Sequence, residues 1–279
     1  MKVVCIIQAR TSSTRLPAKV LKSLPFGSGT TVLHQVINRV KKTSLVDEVV
    51  VATTEEKEDK AIVDIARECN VGYYRGDKED VLRRYYETAV SFKADVIVRI
   101  TSDCPCIDQD IIARAIELHL QEQADYTHNP GYPLGFSVEV ASFEALERAH
   151  KEAKEPYERE HVFPYIHTTA KDKFRITELK APPEFRRNDI RVTLDTEEDY
   201  ALLCAVYDFL YPSNPFFGID DVVKLFNKKG WLSLINKKVM QKKIYLAEEE
   251  ELEDAIHFLE MQEMHRAKEI LKKYMEGLK

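Results

Sequence analysis

Three cations fall within ten positions near the start of the chain, Arg10, Arg15 and Lys19, among the small hydroxyl residues Thr11, Ser12, Ser13 and Thr14. Guanidinium and ammonium groups beside backbone N–H groups left open by a non-helical turn suit a polyphosphate, because each makes charge-assisted hydrogen bonds to phosphate oxygens. Basic loops also occur as plain solvated surface, and the loop alone leaves that alternative open. Far along the chain, Asp103 and Asp195 follow the apolar runs Asp95 to Ile100 and Ile190 to Leu194. Two carboxylates at one sheet edge are what a hard divalent cation such as Mg²⁺ needs when it keeps several waters and takes its other ligands from phosphate. Each aspartate has an ordinary alternative. Asp103 can be a turn residue before Pro105, and Asp195 can cap the helix after it. Thr196 offers a second cap, since Thr196 and Asp199 have the capping-box form.

The elements that must position these groups read as an α/β fold. Strand-like runs at Val3 to Ile7, Glu48 to Ala52, Val71 to Tyr74 and Asp95 to Ile100 alternate with helical runs, as in a parallel sheet covered by helices. The helical spacing predicts helices over Thr30 to Lys42, Lys57 to Asn70, Lys78 to Phe92 and Asp108 to Gln121. The run from Asp95 to Ile100 is the most apolar and is expected at the centre of the sheet. Three strands end in polar clusters, Gln8-Ala9-Arg10, Thr53-Thr54 and Thr101-Ser102-Asp103, and in an open parallel sheet such ends border the ligand crevice.

The second half predicts a less regular stretch around Asn129 to Gly135 and a strand from Phe136 to Val140. Helices are expected over Phe143 to Lys154 and Glu158 to Thr169, the latter interrupted near Pro164. Strands over Phe174 to Leu179 and Ile190 to Leu194 precede a long helix from Thr196 to Leu210. Short helices at Ile219 to Asn227 and Trp231 to Ile235 lead to a charged helical stretch, Glu249 to Leu278. The chain is therefore expected to divide into a main domain, 1–240, and a helical tail, 241–279, that packs on the domain or on a second copy.

Composition sets limits on function. The chain has 279 residues, 44% hydrophobic and 32% charged, with a formal net charge of −6, an ordinary globular balance. That charge argues against a broad basic nucleic-acid surface while leaving room for a local phosphate site. The apolar run Val3 to Ile7 is too short for a membrane span, so no membrane association and a cytoplasmic location are the expectation. Five cysteines fit reduced thiols better than a disulfide framework, and Cys104-Pro105-Cys106 has no second pair at metal-ligand spacing. Neither Gly-x-Gly-x-x-Gly nor a Walker lysine motif occurs, which removes the main support for a dinucleotide or P-loop site.

Gln8-Ala9-Arg10, Ser13, Arg15-Leu16-Pro17 and Lys19 resemble the opening signature of the cytidylyltransferases that activate acidic and surface sugars. The resemblance is to the spore coat polysaccharide biosynthesis protein F group, related to acylneuraminate cytidylyltransferases. Thr101-Ser102-Asp103-Cys104-Pro105 and Leu194-Asp195-Thr196-Glu197-Glu198-Asp199 resemble its later motifs. Asp80 to Tyr85 and Arg159-Glu160-His161 resemble further stretches of the spore coat group, and the likeness spans roughly residues 1–240. Ser12 and Ala18 depart from the pattern, standing where glycine is often seen.

The resemblance implies a three-layer, Rossmann-like nucleotide-diphospho-sugar transferase fold with a C-terminal helical extension. It implies that the opening loop, Gln8, Ala9, Arg10, Ser12, Ser13, Arg15 and Lys19, wraps the triphosphate of CTP, and that Asp103 and Asp195 hold Mg²⁺. CMP would pass to a sugar-like or phosphorylated acceptor with release of pyrophosphate, and Arg10, Arg15 and Lys19 would stabilise the charge that develops. Ala52, Thr53 and Thr54, with Thr101 and Asp80, are the candidates for reading the base, although nothing local separates cytosine from uracil. Gly135, Glu139, Arg159, Glu160 and His161 are the candidates for the acceptor. His161 is either a general base or a polar contact, and Tyr132 and Phe136 either stack on a sugar or pack. A homodimer fits the tail.

Two other functions compete. A nucleotide-sugar glycosyltransferase shares the fold, but its Asp-x-Asp motif is not found at Asp103, and Asp108-Gln109-Asp110 opens a helix. A non-catalytic nucleotide-binding scaffold would have no need of the set Arg10, Arg15, Lys19, Asp103 and Asp195.

Overall fold

The computed structural model describes residues 1–241 and 248–278. Strands β1 (Val3–Gln8), β2 (Glu48–Thr54), β3 (Gly72–Gly76), β4 (Val96–Thr101), β5 (Tyr126–His128), β6 (Glu139–Ser142) and β7 (Ile176–Glu178) build one sheet, ordered β3-β2-β1-β4-β6-β5-β7. β1 runs parallel to both β2 and β4, which sets Gln8 opposite Ala52 on one side and Thr101 on the other. β6 runs antiparallel between β4 and β5 and brings Glu139 opposite Arg99.

The helices are α1 (Val32–Val40), α2 (Lys60–Glu68), α3 (Val81–Ser91), α4 (Gln109–Gln121), α5 (Phe143–Glu152), α6 (Pro156–His161), α7 (Glu197–Leu210), α8 (Ile219–Lys228) and the short α9 (Leu232–Ile235). Alternation along the central strands divides the core in two. Val3, Cys5 and Ile7 pack with residues of α1, α2, α4, α7 and α8, whereas Val4 and Ile6 pack with residues of α3 and α5. A strand covered on both faces has no polar side, which is why β1 reads as continuous Val and Ile. Each such side chain contributes about 1.5–3 kcal/mol on burial.

β5 (Tyr126–His128) has no counterpart in the sequence expectation, and three expected elements take another form. The strand expected at Phe136 to Val140 begins only at Glu139, because the Asn129 side chain donates to the Phe136 carbonyl (2.8 Å) and accepts from the Val138 N–H (2.7 Å), replacing ladder bonds there. The run Ile190 to Leu194 is outside the named strands, and its bridge to the rest joins Arg191 to Leu134. The expected single tail helix is two, α10 (Glu248–Met261) and α11 (His265–Leu278). The break lies at Glu263, whose φ is +56°, with the Met264 N–H donating back to the Leu259 carbonyl (2.8 Å), the geometry of a left-handed helix stop.

The chain forms two compact units, Met1–Val239 and Met240–Lys279. Of the expected tail, residues 242–247 and 279 lie outside the described residues. Among the described residues no helix is long and apolar enough to cross a membrane. The cysteines are free, and burial pushes the Cys104 and Cys106 thiols up to about 12, which disfavours their thiolate forms at neutral pH.

Candidate active site

The loop after β1 is fastened to α2. Asp59, just ahead of α2 and buried, accepts from the Thr11 N–H (2.8 Å), the Thr11 hydroxyl (2.7 Å) and the Thr54 hydroxyl (2.5 Å). Burial alone would raise the Asp59 carboxyl, but the hydrogen bonds from Thr54 and Thr11 hold it below the usual carboxylate range. The Thr11 carbonyl in turn accepts from the Ser13 and Ala18 N–H groups, both at 2.9 Å, which folds the loop back on itself. Ala18 takes the left-handed conformation (φ 52°, ψ 30°) that a glycine would hold without penalty, at a cost of about 1 kcal/mol. It turns the chain into a single 3₁₀ turn, Lys19–Leu21.

Lys19 leaves that turn toward two carboxylates. Its Nζ lies 2.6 Å from Asp103 Oδ2 and 2.9 Å from Asp195 Oδ1. Arg15 Nη2 lies 3.1 Å from the same Asp195 oxygen, and Arg191 Nη2 is 2.8 Å from the other. Burial pulls the Lys19 ammonium down, yet Asp103 and Asp195 outweigh it and the net shift is upward. Burial likewise raises Asp195, and the charges of Lys19 and Arg15 bring it below its ordinary value. The set is a charged cluster held in its ionised form.

Backbone hydrogen bonds explain why residues so far apart in sequence meet. The Leu194 N–H donates to the Asp103 carbonyl (2.8 Å), and the Val192 N–H donates to the Leu134 carbonyl (2.8 Å). Ile190 to Leu194 thus lies beside the end of β4 and delivers Asp195 next to Asp103. Asp199 completes the corner. Its Oδ2 accepts from the Asp195 and Thr196 N–H groups (2.9 and 3.2 Å), while Arg191 and Asn236 hold its carboxylate. Thr196 caps α7 with Asp199 in a capping box, so Asp195 is not the cap.

The remaining sequence candidates divide. Gln8 and Arg10 stand half-buried at the end of β1, and Ser12 and Ser13 lie in the loop, Ser12 exposed. Ala9 donates its N–H to the Ala52 carbonyl (3.0 Å). Ala52, Thr53 and Thr54 are fully buried, and the Thr54 hydroxyl donates to Asp59. Thr101 is half-buried, its hydroxyl 3.2 Å from Cys104 Sγ. Asp80, a candidate for the base, and Arg159, a candidate for the acceptor, pair with each other. Asp80 caps α3 through the Arg83 N–H (2.9 Å), and Arg159 binds its carboxylate at 2.7 Å and also the His150 and Ala153 carbonyls.

Glu139 accepts from Arg99 and from the Tyr126 hydroxyl (2.5 Å), and Arg99 Nε reaches the Gln8 side chain (3.2 Å). Glu160 is exposed and His161 half-buried at the end of α6, where the chain turns through Val162 at φ +76°. Gly135 is a backbone contact. At φ +108° an added Cβ would lie 2.7 Å from the Val192 carbonyl group, so only glycine lets this loop lie against residues 190–194. Phe136 is fully buried, and Tyr132 packs against Phe185 with ring centroids 6.3 Å apart, which makes both packing residues.

Asp59, Arg99, Arg191 and Asp199 go beyond the sequence candidates for binding. Arg99 had a signal, a lone cation in the most apolar strand, and so did Arg191 in an otherwise apolar run. Asp59 had none, being 48 positions from Thr11.

Among the described residues no group of three metal-ligating side chains converges, and the two carboxylates that could hold a divalent cation are Asp103 and Asp195, an oxygen of each touched by Lys19 Nζ. An ion held by two carboxylates would take its remaining ligands from water and phosphate oxygens.

The mixed sheet with helices on both faces is that of the nucleotide-diphospho-sugar transferase fold. The chain belongs to the cytidylyltransferase family, whose sequence profile matches residues 4–258. Spore coat polysaccharide biosynthesis protein SpsF of Bacillus subtilis is 32% identical over 231 residues, 81% of this chain and 94% of that protein. An uncharacterized protein of Methanocaldococcus jannaschii is 38% identical over 249 residues, 89% of this chain and all of that one. A solved cytidylyltransferase from Leptospira borgpetersenii superimposes with a TM-score of 0.76 at 34% identity, over 88% of this chain and 99% of its own. CMP:2-keto-3-deoxy-manno-octonic acid synthetase complexed with CTP shares the fold, with a TM-score of 0.57 at 15% identity, over 75% of this chain and 99% of its own.

Proposed function

We propose that the protein transfers CMP from CTP to a sugar-like or phosphorylated acceptor and releases pyrophosphate, in the service of a surface polysaccharide or glycan. The observation that carries this is the meeting of Arg15 and Lys19 with Asp103 and Asp195 beyond the carboxyl ends of β1 and β4. A triphosphate laid over the loop would meet Arg10, Arg15 and Lys19 along its β- and γ-phosphates. An acceptor oxygen then forms a bond to the α-phosphorus in line as the bond to the bridging α–β oxygen breaks, and pyrophosphate departs with the electron pair. The loop cations take up the charge that builds on the leaving group, which is the main task in phosphoryl chemistry of this kind.

Asp103 and Asp195 would hold Mg²⁺, which when bound supplies Lewis acidity toward phosphate oxygens. The acceptor subsite would include the polar row Gln8, Arg99 and Glu139, which lies on the α3 and α5 face at the ends of β1, β4 and β6. Support for CTP comes from the family and from the CTP-bound relative in fold.

The experiment is pyrophosphate release with CTP, UTP or ATP against a panel of acidic sugars, sugar phosphates and phosphonates. Release that needs CTP, one acceptor class and a divalent cation supports the proposal. Cleavage of a nucleotide sugar without pyrophosphate release would favour a glycosyltransferase.

A further inference from the structure

We propose that Lys19 is a built-in occupant of the point between Asp103 and Asp195, so that a divalent cation enters there only together with a polyphosphate that draws the ammonium away. This rests on the assignment of the aspartate pair as metal ligands. Lys19 Nζ lies 2.6 Å from Asp103 Oδ2 and 2.9 Å from Asp195 Oδ1, the oxygens that a divalent cation shared by the two aspartates would take, so ammonium and ion would compete for them. Two cations in contact, largely withheld from solvent, repel strongly, and one must leave.

The carboxylates are the fixed partners. Asp195 is held on its other oxygen by Arg191 (2.8 Å), and its N–H is bound to Asp199 (2.9 Å). Asp103 is fastened through its carbonyl by the Leu194 N–H (2.8 Å). Lys19 has only a flexible stem above the 3₁₀ turn, so it is the group that moves.

The charge balance points the same way. Asp103 and Asp195 are already matched by Lys19 and Arg15, and Arg191 is shared with Asp199. A bare dication would leave the cluster with surplus positive charge. A triphosphate reverses that surplus and offers Lys19 new acceptors. Metal and nucleotide affinities are then coupled, each raising the other by the same factor.

The test is Mn²⁺ binding to the full-length protein without nucleotide, read by loss of the free-ion electron paramagnetic resonance signal. Wild type is expected to show no site tighter than about millimolar. Lys19→Met is expected to gain about tenfold or more, and Arg15→Met less than about threefold, because Lys19 lies between the two aspartates. Lys19→Met/Asp103→Asn should lose the gain. A wild-type Mn²⁺ site of about 100 μM or tighter overturns the proposal without recourse to any variant, and so does an equal gain in Arg15→Met. A native near-UV circular dichroism spectrum qualifies each variant, with Lys19→Gln replacing Lys19→Met if the latter fails to fold. Titration of the wild type with metal-free CTP separates the two ideas, since absent CTP binding defeats the proposed function and leaves the Mn²⁺ comparison intact.

Discussion

Asp59 receives both the backbone N–H and the hydroxyl of Thr11, at 2.8 and 2.7 Å, and so ties the cationic loop to the head of α2. Replacing Asp59 by Ala leaves the Thr11 and Thr54 donors without this acceptor. The expected result is a stability loss of about 2 kcal/mol and a KM for CTP raised about tenfold, with kcat less affected. Thermal melts beside steady-state kinetics check it. An unchanged KM would mean that the loop keeps its shape without this anchor.

Arg15 and Lys19 differ in what they touch, but both face Asp195. Arg15→Ala and Lys19→Ala should each lower kcat/KM for pyrophosphate release by about 10²–10³, the usual cost of one electrostatic contact to a transition state. Single-turnover measurements with saturating CTP locate the loss in chemistry or in binding. A drop below threefold in both would remove the loop from the mechanism.

Gly135→Ala places a methyl within 2.7 Å of the Val192 carbonyl at a backbone angle of +108°. The chain must retreat from residues 190–194, and Asp195 with it. A destabilisation of about 2–4 kcal/mol is expected. In protein that remains folded, CTP turnover should fall further than the melting temperature alone explains. Equal loss in Gly135→Ala and in a distant variant of matched stability would argue against this coupling.

His119 is buried against Thr127 (Nδ1 to Oγ1, 3.0 Å), and burial, partly offset by Asp125, brings its pKa down from 6.5 to about 4. The folded protein therefore binds fewer protons here than the unfolded chain between those values. Stability from this group is complete above pH 6.5 and is lost as the pH falls to about 4, on the order of 2–3 kcal/mol in all. Denaturant melts from pH 7.5 to 4 should show that slope, and His119→Gln should flatten it.

Arg159 binds Asp80 at 2.7 Å and the carbonyls of His150 and Ala153, joining α6 to α3 and α5. Arg159→Ala is expected to cost about 1–3 kcal/mol of stability with an acceptor KM changed less than about threefold. A large rise in acceptor KM at unchanged melting temperature would restore the acceptor role read from its sequence motif.

The sequence reveals what is local or periodic. β1, β2 and β4 announce themselves as aliphatic runs ending in polar residues, and the Thr196–Asp199 box marks the start of α7. What it hides is long-range pairing. The reversal of β6 sets Glu139 opposite Arg99, and no spacing rule joins positions in strands whose direction is not yet known. Asn129 substitutes for a stretch of ladder with a side chain, which no hydrophobic pattern records. Glu263 ends a helix without glycine or proline, so the charged tail reads as continuous when it is folded into two helices.

Ile190 to Leu194 lies outside the named strands and meets the domain through backbone bonds from Val192 to Leu134 and from Leu194 to Asp103. The aspartate pair therefore rests on two kinds of support, a hydrogen-bonded ladder beneath it and, beside it, a buried non-strand segment pinned at a few backbone points. A substitution at residues 130–136 or 190–195 would be felt at Asp195 through those few bonds while the β1–β4 ladder kept its register, so the two sides of the pair can respond separately to mutation.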